Sequence, residues 1–170
     1  MIMQGRRAQI AAIDALIAVL LFASVYSILN AQLSNIETQS DDFEFLSTRV
    51  DMAAAHLLTS TGEPVNWSPS NVSQLGLVVN RGVIEREKLG NFLNITQTNL
   101  NTTRNLLGIS GLRFYFNVSY INGTNVTINS STFNGTAIAG QDFSTSPAAS
   151  VRSLAVYNGS RVFVNIKIGT

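Results

Sequence analysis

From Ala8 to Leu29 the chain is apolar almost without a break, a run of 22 residues interrupted by a single acid, Asp14. As a helix, a segment of that length spans about 33 Å at 1.5 Å per residue. A hydrocarbon core is about 30 Å thick. No later window approaches this length, so the pattern predicts one membrane-spanning helix. Beyond it the apolar positions change rhythm. Ile36, Phe43, Val50 and Leu57 recur every seven residues, and Leu29, Leu33, Leu46 and Ala53 fill the intervening steps. That is an apolar stripe on one side of a helix. No Gly or Pro occurs between Ala8 and Ser60, and Gly62 and Pro64 then supply a stop. The prediction is a continuous helix to about Thr59, about 75–80 Å long.

After the stop, the pattern changes to short periods. "SQLGLVV" reads as a strand, "NRG" as a turn and "IEREKLGNFL" as a short helix with Lys88 one turn after Glu85. A second short helix is expected over Thr98–Leu107, ended by Gly108. "LRFYFNVSYI" alternates, with Leu112, Phe114, Phe116, Val118 and Tyr120 on one face, and Asn122-Gly123 marks a hairpin. "VRSLAVY" and "SRVFVNIKI", joined by Asn158-Gly159, form a second and clearer hairpin. The Ser/Thr/Gly-rich stretch 129–149 reads as a loop, with one poor strand as the most it is expected to hold. The expected fold class is α+β: a long N-terminal helix, half in the membrane and half a stalk, packed on an antiparallel sheet of at least four strands. The strand aromatics, at a period of two, are expected in the buried face rather than on a ligand platform.

Composition narrows the function. The net charge is +1, and no basic cluster follows Arg7, so nucleic acid is not an expected partner. The absence of cysteine excludes disulfides and thiolate chemistry. His56 is the single histidine, and on a mostly apolar helix it reads as a hydrogen-bonded packing residue, not a ligand. There is no Gly-rich phosphate loop, GxSxG elbow or HExxH motif. The only acids past Thr61 are Glu63, Glu85, Glu87 and Asp142. No catalytic residue, metal or cofactor is expected. Asp41, Asp42 and Glu44 read as a solvated face of the stalk or a contact to another subunit.

Arg6 and Arg7 precede the apolar run and no basic cluster follows it, so the positive-inside rule puts the N-terminus in the cytoplasm and the later residues outside. Three readings of the run stay open: a cleaved signal peptide, a plain signal anchor, and a prepilin-type helix that is retained and assembles. The stretch "RRAQIAAIDALIAVLLF" resembles the class III signal peptide of archaeal type IV pilins. The resemblance implies that Arg6 and Arg7 form the basic leader, that a prepilin peptidase cuts between Ala8 and Gln9, and that Gln9 becomes the mature N-terminus. Asp14 is then the sixth mature residue, where the family usually carries Glu at the fifth. The resemblance further implies that Asp14 meets the freed amine of a neighbouring copy during filament assembly. An acid in the apolar segment otherwise costs about 2.5–3.5 kcal/mol at mid-membrane and less near the interface.

The ten Asn-x-Ser/Thr sequons all lie beyond the stalk. Asn71, Asn94, Asn101, Asn122, Asn125, Asn129, Asn134 and Asn158 are candidate N-glycosylation sites. Asn117, inside a predicted strand, and Asn66, before Trp67, are poorer ones. The organisation expected is a leader over 1–8, a membrane or filament-core helix over 9–29, a stalk over 30–61 and an extracellular α+β domain over 62–170. The function expected is a structural subunit of a surface filament, with adhesion as a candidate role, in contact with the membrane and with copies of itself. The alternative is a single-pass extracellular binding module that does not polymerise.

Overall fold

The computed structural model describes residues 13–33, 42–80, 82–143 and 147–170 in full, and the helical backbone of residues 3–12 and 34–41. The chain forms two compact units, Met1–Asp42 and Phe43–Thr170. The first contains the apolar helical segment. The second is an α+β domain with an antiparallel-rich sheet.

Helix α1 runs Met3–Thr59 and ends where the Gly-Pro stop predicted. Thr59 Oγ1 bonds back to Ala55 O at 2.6 Å, and Ser60 Oγ accepts from Gly62 N at 3.0 Å. Gly62 then takes φ +77°, a left-handed turn that a side chain resists. Within the second unit the end of α1 is buried. Leu46, Val50, Ala53 and Leu57 are between 0 and 2 % exposed and belong to the same core cluster as the sheet residues. The stripe is shorter than its sequence period: Phe43 is 60 % exposed, and the side chain of Ile36 lies outside the described residues. His56 is also exposed, 3.5 Å from Gln74 Nε2, so it faces solvent instead of packing in the stripe.

The segment after α1 folds back on the helix end. Glu63 N donates to Gln74 O and Leu77 N to Leu57 O, each at 2.9 Å. The buried indole of Trp67 donates to Gly76 O at 2.9 Å. Gly76 is required by this closeness, since a Cβ there would lie 2.2 Å from Gly62 N and 2.3 Å from Ser60 O.

Strands β1 (Val78–Asn80) and β2 (Val83–Ile84) lead into α2 (Arg86–Thr98) and α3 (Leu100–Leu106). Asn99 caps α3, its Oδ1 accepting from Thr102 N at 3.2 Å. Then follow β3 (Arg113–Tyr120), β4 (Thr127–Asn129), β5 (Asn134–Thr136), β6 (Ile138–Gly140), β7 (Ala148–Tyr157) and β8 (Ser160–Gly169). The larger sheet has the order β1-β2-β7-β8-β3-β6, and β4 pairs with β5 alone. The β7–β8 hairpin forms as read, through Asn158 (φ +48°) and Gly159 (φ +76°). Two left-handed residues match the twist of the flanking strands.

Three expectations are corrected. The sheet is not purely antiparallel, because β2 pairs parallel with β7. The turn at Asn122-Gly123 forms, but its return arm stays with β3 only through the bridge Ser119–Asn125 before leaving for β5. The neighbours of β3 are instead β8 and β6. The stretch 129–149 holds more than the one poor strand allowed for it, since it contains β5 and β6 and the start of β7. Val126 and Ile128 are both 0 % exposed, so burial of their side chains draws that segment inward.

The alternation in β3 puts Phe114, Phe116 and Val118 at 0 % exposure, with Leu112 and Tyr120 half-buried at its ends. From α2, Phe92 packs edge-on against Phe116 at 4.8 Å between centroids and against Phe114 at 6.3 Å. Such contacts contribute about 0.5–1.5 kcal/mol each beyond the burial itself. Leu57→Ala is expected to destabilise by about 2–5 kcal/mol. Leu154→Ala, 58 % exposed, is expected to change stability by about 0.5 kcal/mol or less. Urea unfolding of the detergent-solubilised chain, followed through fluorescence of its single tryptophan, checks both.

Candidate functional site

The segment Ile13–Leu33 is 21 residues with a mean hydropathy of 2.0, long and apolar enough to cross a membrane. None of it is buried. Phe22 is 73 % exposed and Leu16, Val19, Leu20 and Leu21 between 62 and 66 %. Its backbone is satisfied within the helix, and Ser24 Oγ donates to Leu21 O at 2.8 Å, which satisfies that hydroxyl's donor inside the helix. Phe22 and Tyr26 stack at 6.3 Å, one turn apart. Asp14 is exposed as the second residue of the span, and has no hydrogen-bond or ion-pair partner among the described residues. The side chains of Arg6, Arg7, Ala8 and Gln9, where the processing site is expected, lie outside the described residues. Asp42 and Glu44 are exposed, and the Asp41 side chain also lies outside the described residues.

In the second unit a polar recess of about 290 Å³ opens beside α2, lined by Trp67, Glu85, Glu87, Lys88, Asn91 and Ser131 among others. Lys88 is only 5 % exposed. Its ammonium donates to Thr61 O at 2.8 Å and Val78 O at 3.4 Å, and pairs with Glu85 Oε2 at 3.3 Å. Asn91 donates to Trp67 O at 3.2 Å and accepts from Thr132 Oγ1 at 2.7 Å. Glu87 accepts from both the backbone N–H of Ser131, at 3.1 Å, and its hydroxyl, at 2.5 Å. These groups are spent on one another. The recess ties the segment after α1 and the 130s turn to α2, and no group of three His, Asp or Glu converges among the described residues. Sequence showed the Glu85–Lys88 pair through its spacing. It carried no signal for Thr61, Val78 or Ser131, because those partners are remote in the chain.

The sequons differ sharply once folded. Asn66, Asn71, Asn101, Asn122, Asn125, Asn129, Asn134 and Asn158 are exposed; Asn94 and Asn117 are half-buried. In three sequons the hydroxyl residue is inside. Thr96, after Asn94, is 3 % exposed; Thr103, after Asn101, is 0 %; Ser119, after Asn117, is 5 %. The Thr96 and Thr103 hydroxyls bond each other at 3.2 Å. Asn117 donates to Tyr115 Oη and Asn125 Oδ1, and its own Oδ1 is buried without a partner. Asn71 Oδ1 accepts from Ser68 N at 2.6 Å, while the Ser73 hydroxyl turns to Glu63 O. Asn129 and Asn134 face each other across the β4–β5 ladder. At Asn122 the Oδ1 accepts from Thr124 N at 3.0 Å and from Thr124 Oγ1 at 2.8 Å.

No family model, curated protein or solved structure matches this chain. The functional reading therefore rests on residues and geometry.

The Glu87–Ser131 contact makes a pH prediction. The Ser131 hydroxyl and backbone N–H hold the Glu87 carboxyl below its ordinary value of 4.5, and Arg86 adds to the shift. A depressed folded value means that the contribution is present above 4.5 and is lost as pH falls through the folded value. Glu87 is exposed, so the effect is small. Glu87→Gln, a neutral and weaker acceptor, is expected to lower the urea midpoint slightly at neutral pH. The gap between the two proteins should close below pH 4.5; a gap that persists in acid contradicts the ionised contact.

Proposed function

We propose that the protein is a membrane-inserted subunit of a type IV pilin-like surface filament, with its α+β domain outside the cell. The observation that carries this reading is the uncovered apolar span Ile13–Leu33 with one acid, Asp14, at its N-terminal edge. Uncovered apolar side chains of this number need lipid or other helices around them. A helical bundle of copies satisfies them as well as lipid does. What distinguishes the bundle is the acid, since a carboxylate among packed helices needs a counter-charge or solvent. Cleavage after Ala8 supplies one, the new amine of Gln9, which a staggered neighbour carries to Asp14. Arg6 and Arg7 supply the leader that such cleavage removes. In this reading the buried end of α1 lies on the sheet and joins the filament core to the outer domain.

The second reading is a single-pass anchor for a binding module that does not polymerise. The exposed position of Asp14 at the end of the span supports it, because an acid at headgroup depth is solvated without a partner. The mature N-terminus separates the two. Mass spectrometry is expected to find Gln9 first for the filament subunit, and Met1 or Ile2 first for the anchor.

Asp14→Ala is expected to reach the membrane at least as well as the unmutated chain, since it removes an insertion cost. Sheared-filament yield is expected to fall by an order of magnitude or more, about 1.4 kcal/mol or more of lost contact, while Asp14→Glu retains most of it. Filaments from Asp14→Ala at the unmutated level would rule out the pairing role.

A further inference from the structure

We propose that Asn122, at the tip of the turn after β3, is the preferred site of N-linked glycan attachment in this protein. The inference rests on the outward placement of the second unit. A transferase must reach the carboxamide of a sequon and the hydroxyl two residues on, on the same exposed stretch of backbone. Asn94, Asn101 and Asn117 fail that requirement, because Thr96, Thr103 and Ser119 are between 0 and 5 % exposed. Removing those hydroxyls from the interior means opening α2, α3 or the centre of the sheet.

Asn122-Gly123-Thr124 meets it. All three residues are exposed, with Ile121 and Asn125 on either side exposed as well. Thr124 Oγ1 donates to Asn122 Oδ1 at 2.8 Å, and Thr124 N donates to the same oxygen at 3.0 Å. This is an Asx turn. Among the described residues it is the one sequon whose hydroxyl bonds its own asparagine. Both bonds end on the carboxamide oxygen, and the nitrogen Nδ2 has no partner among the described residues, which leaves it open to glycosylation. The tip is anchored from below by Gly123 N on Tyr120 O at 2.9 Å and Tyr120 N on Thr124 O at 2.8 Å. Apart from its two chain neighbours, no described residue comes within 4 Å of where a side chain at Gly123 would begin, so the space beside the turn is open. The other hairpin tip, Asn158-Gly159, is also open, but Ser160 is already in register with Tyr157 at the start of β8.

The donor is a sugar linked through phosphate or pyrophosphate to a membrane polyisoprenoid. The bond from Asn122 Nδ2 to the sugar C1 forms as the C1–O bond to the lipid phosphate breaks. The lipid phosphate leaves with the bonding pair, and Nδ2 gives up one proton to a base of the transferase. No oxidant or reductant is needed.

The test is site-resolved mass spectrometry of the full chain isolated from the membranes of its native cells, with electron-transfer fragmentation of the peptide that carries Asn117 to Asn134. A glycan mass on Asn122, at higher occupancy than on any other sequon, is expected. Thr124→Ala should abolish it, and Thr124→Ser should restore it with the fold unchanged by Trp67 fluorescence. Protease treatment of intact cells, run in parallel, reports whether the second unit is outside. A bare Asn122 on a protease-accessible domain overturns the assignment alone, whether other sequons are modified or all are bare. A protected domain overturns the outward placement and the assignment with it.

Discussion

A mostly apolar helical span of 21 residues, Ile13–Leu33, that none of the described residues covers imposes the main constraint on this protein. Full burial of one Leu, Ile, Val or Phe side chain is worth about 1.5–3 kcal/mol relative to water. The exposed set in Ile13–Leu33 therefore carries a large burial energy that no contact among the described residues recovers. Its backbone bonds are internal to the helix, which makes such a span compatible with surroundings that are not water. Lipid and a bundle of like helices are the two environments that meet this condition, and the two functional readings correspond to them. The single acid at the edge of the span weighs on the choice, since it is tolerated in both but useful only where a cation comes to it.

The second unit follows the opposite rule. Most of its apolar side chains are covered by its own elements, and the last turns of α1 take part in that core through Leu46, Val50, Ala53 and Leu57. The one helix sequence therefore serves two environments in succession, uncovered over Ile13–Leu33 and buried on one side from Leu46. The aromatic contact of Phe92 with Phe114 and Phe116 joins α2 to the central strand β3. With β3 held between β8 and β6, the return arm after Asn122-Gly123 is released to pair with β5, and the turn is left projecting. The accessibility of Asn122 is thus a consequence of sheet order.

The polar side chains divide in the same way. A low share of charged residues, 12 %, leaves Ser, Thr and Asn to complete the surface and the loop hydrogen bonds. Lys88, Asn91 and Glu87 are consumed in holding loops to α2, and several asparagines of the sequons are likewise occupied. A repeated tripeptide that looks uniform in sequence becomes a set of unequal sites, because burial acts on its third residue as much as on its first.

What the sequence determined by itself was local and periodic. The apolar run, the Gly62-Pro64 stop, the two short helices, the alternation of β3 and the Asn158-Gly159 hairpin all follow from residue spacing and backbone preference within a few residues. Asp14, the Arg6-Arg7 pair and the ten Asn-x-Ser/Thr tripeptides were legible without any fold. Only the tertiary structure decided the rest. The parallel pairing of β2 with β7, the β4–β5 pair, the outward turn of Phe43 and His56, and the partners of Lys88 join residues far apart in the chain. So does the burial of Thr96, Thr103 and Ser119 that sorts the sequons. Such pairings are set by which apolar faces cover one another most completely, a property of the whole core that no short window of sequence contains.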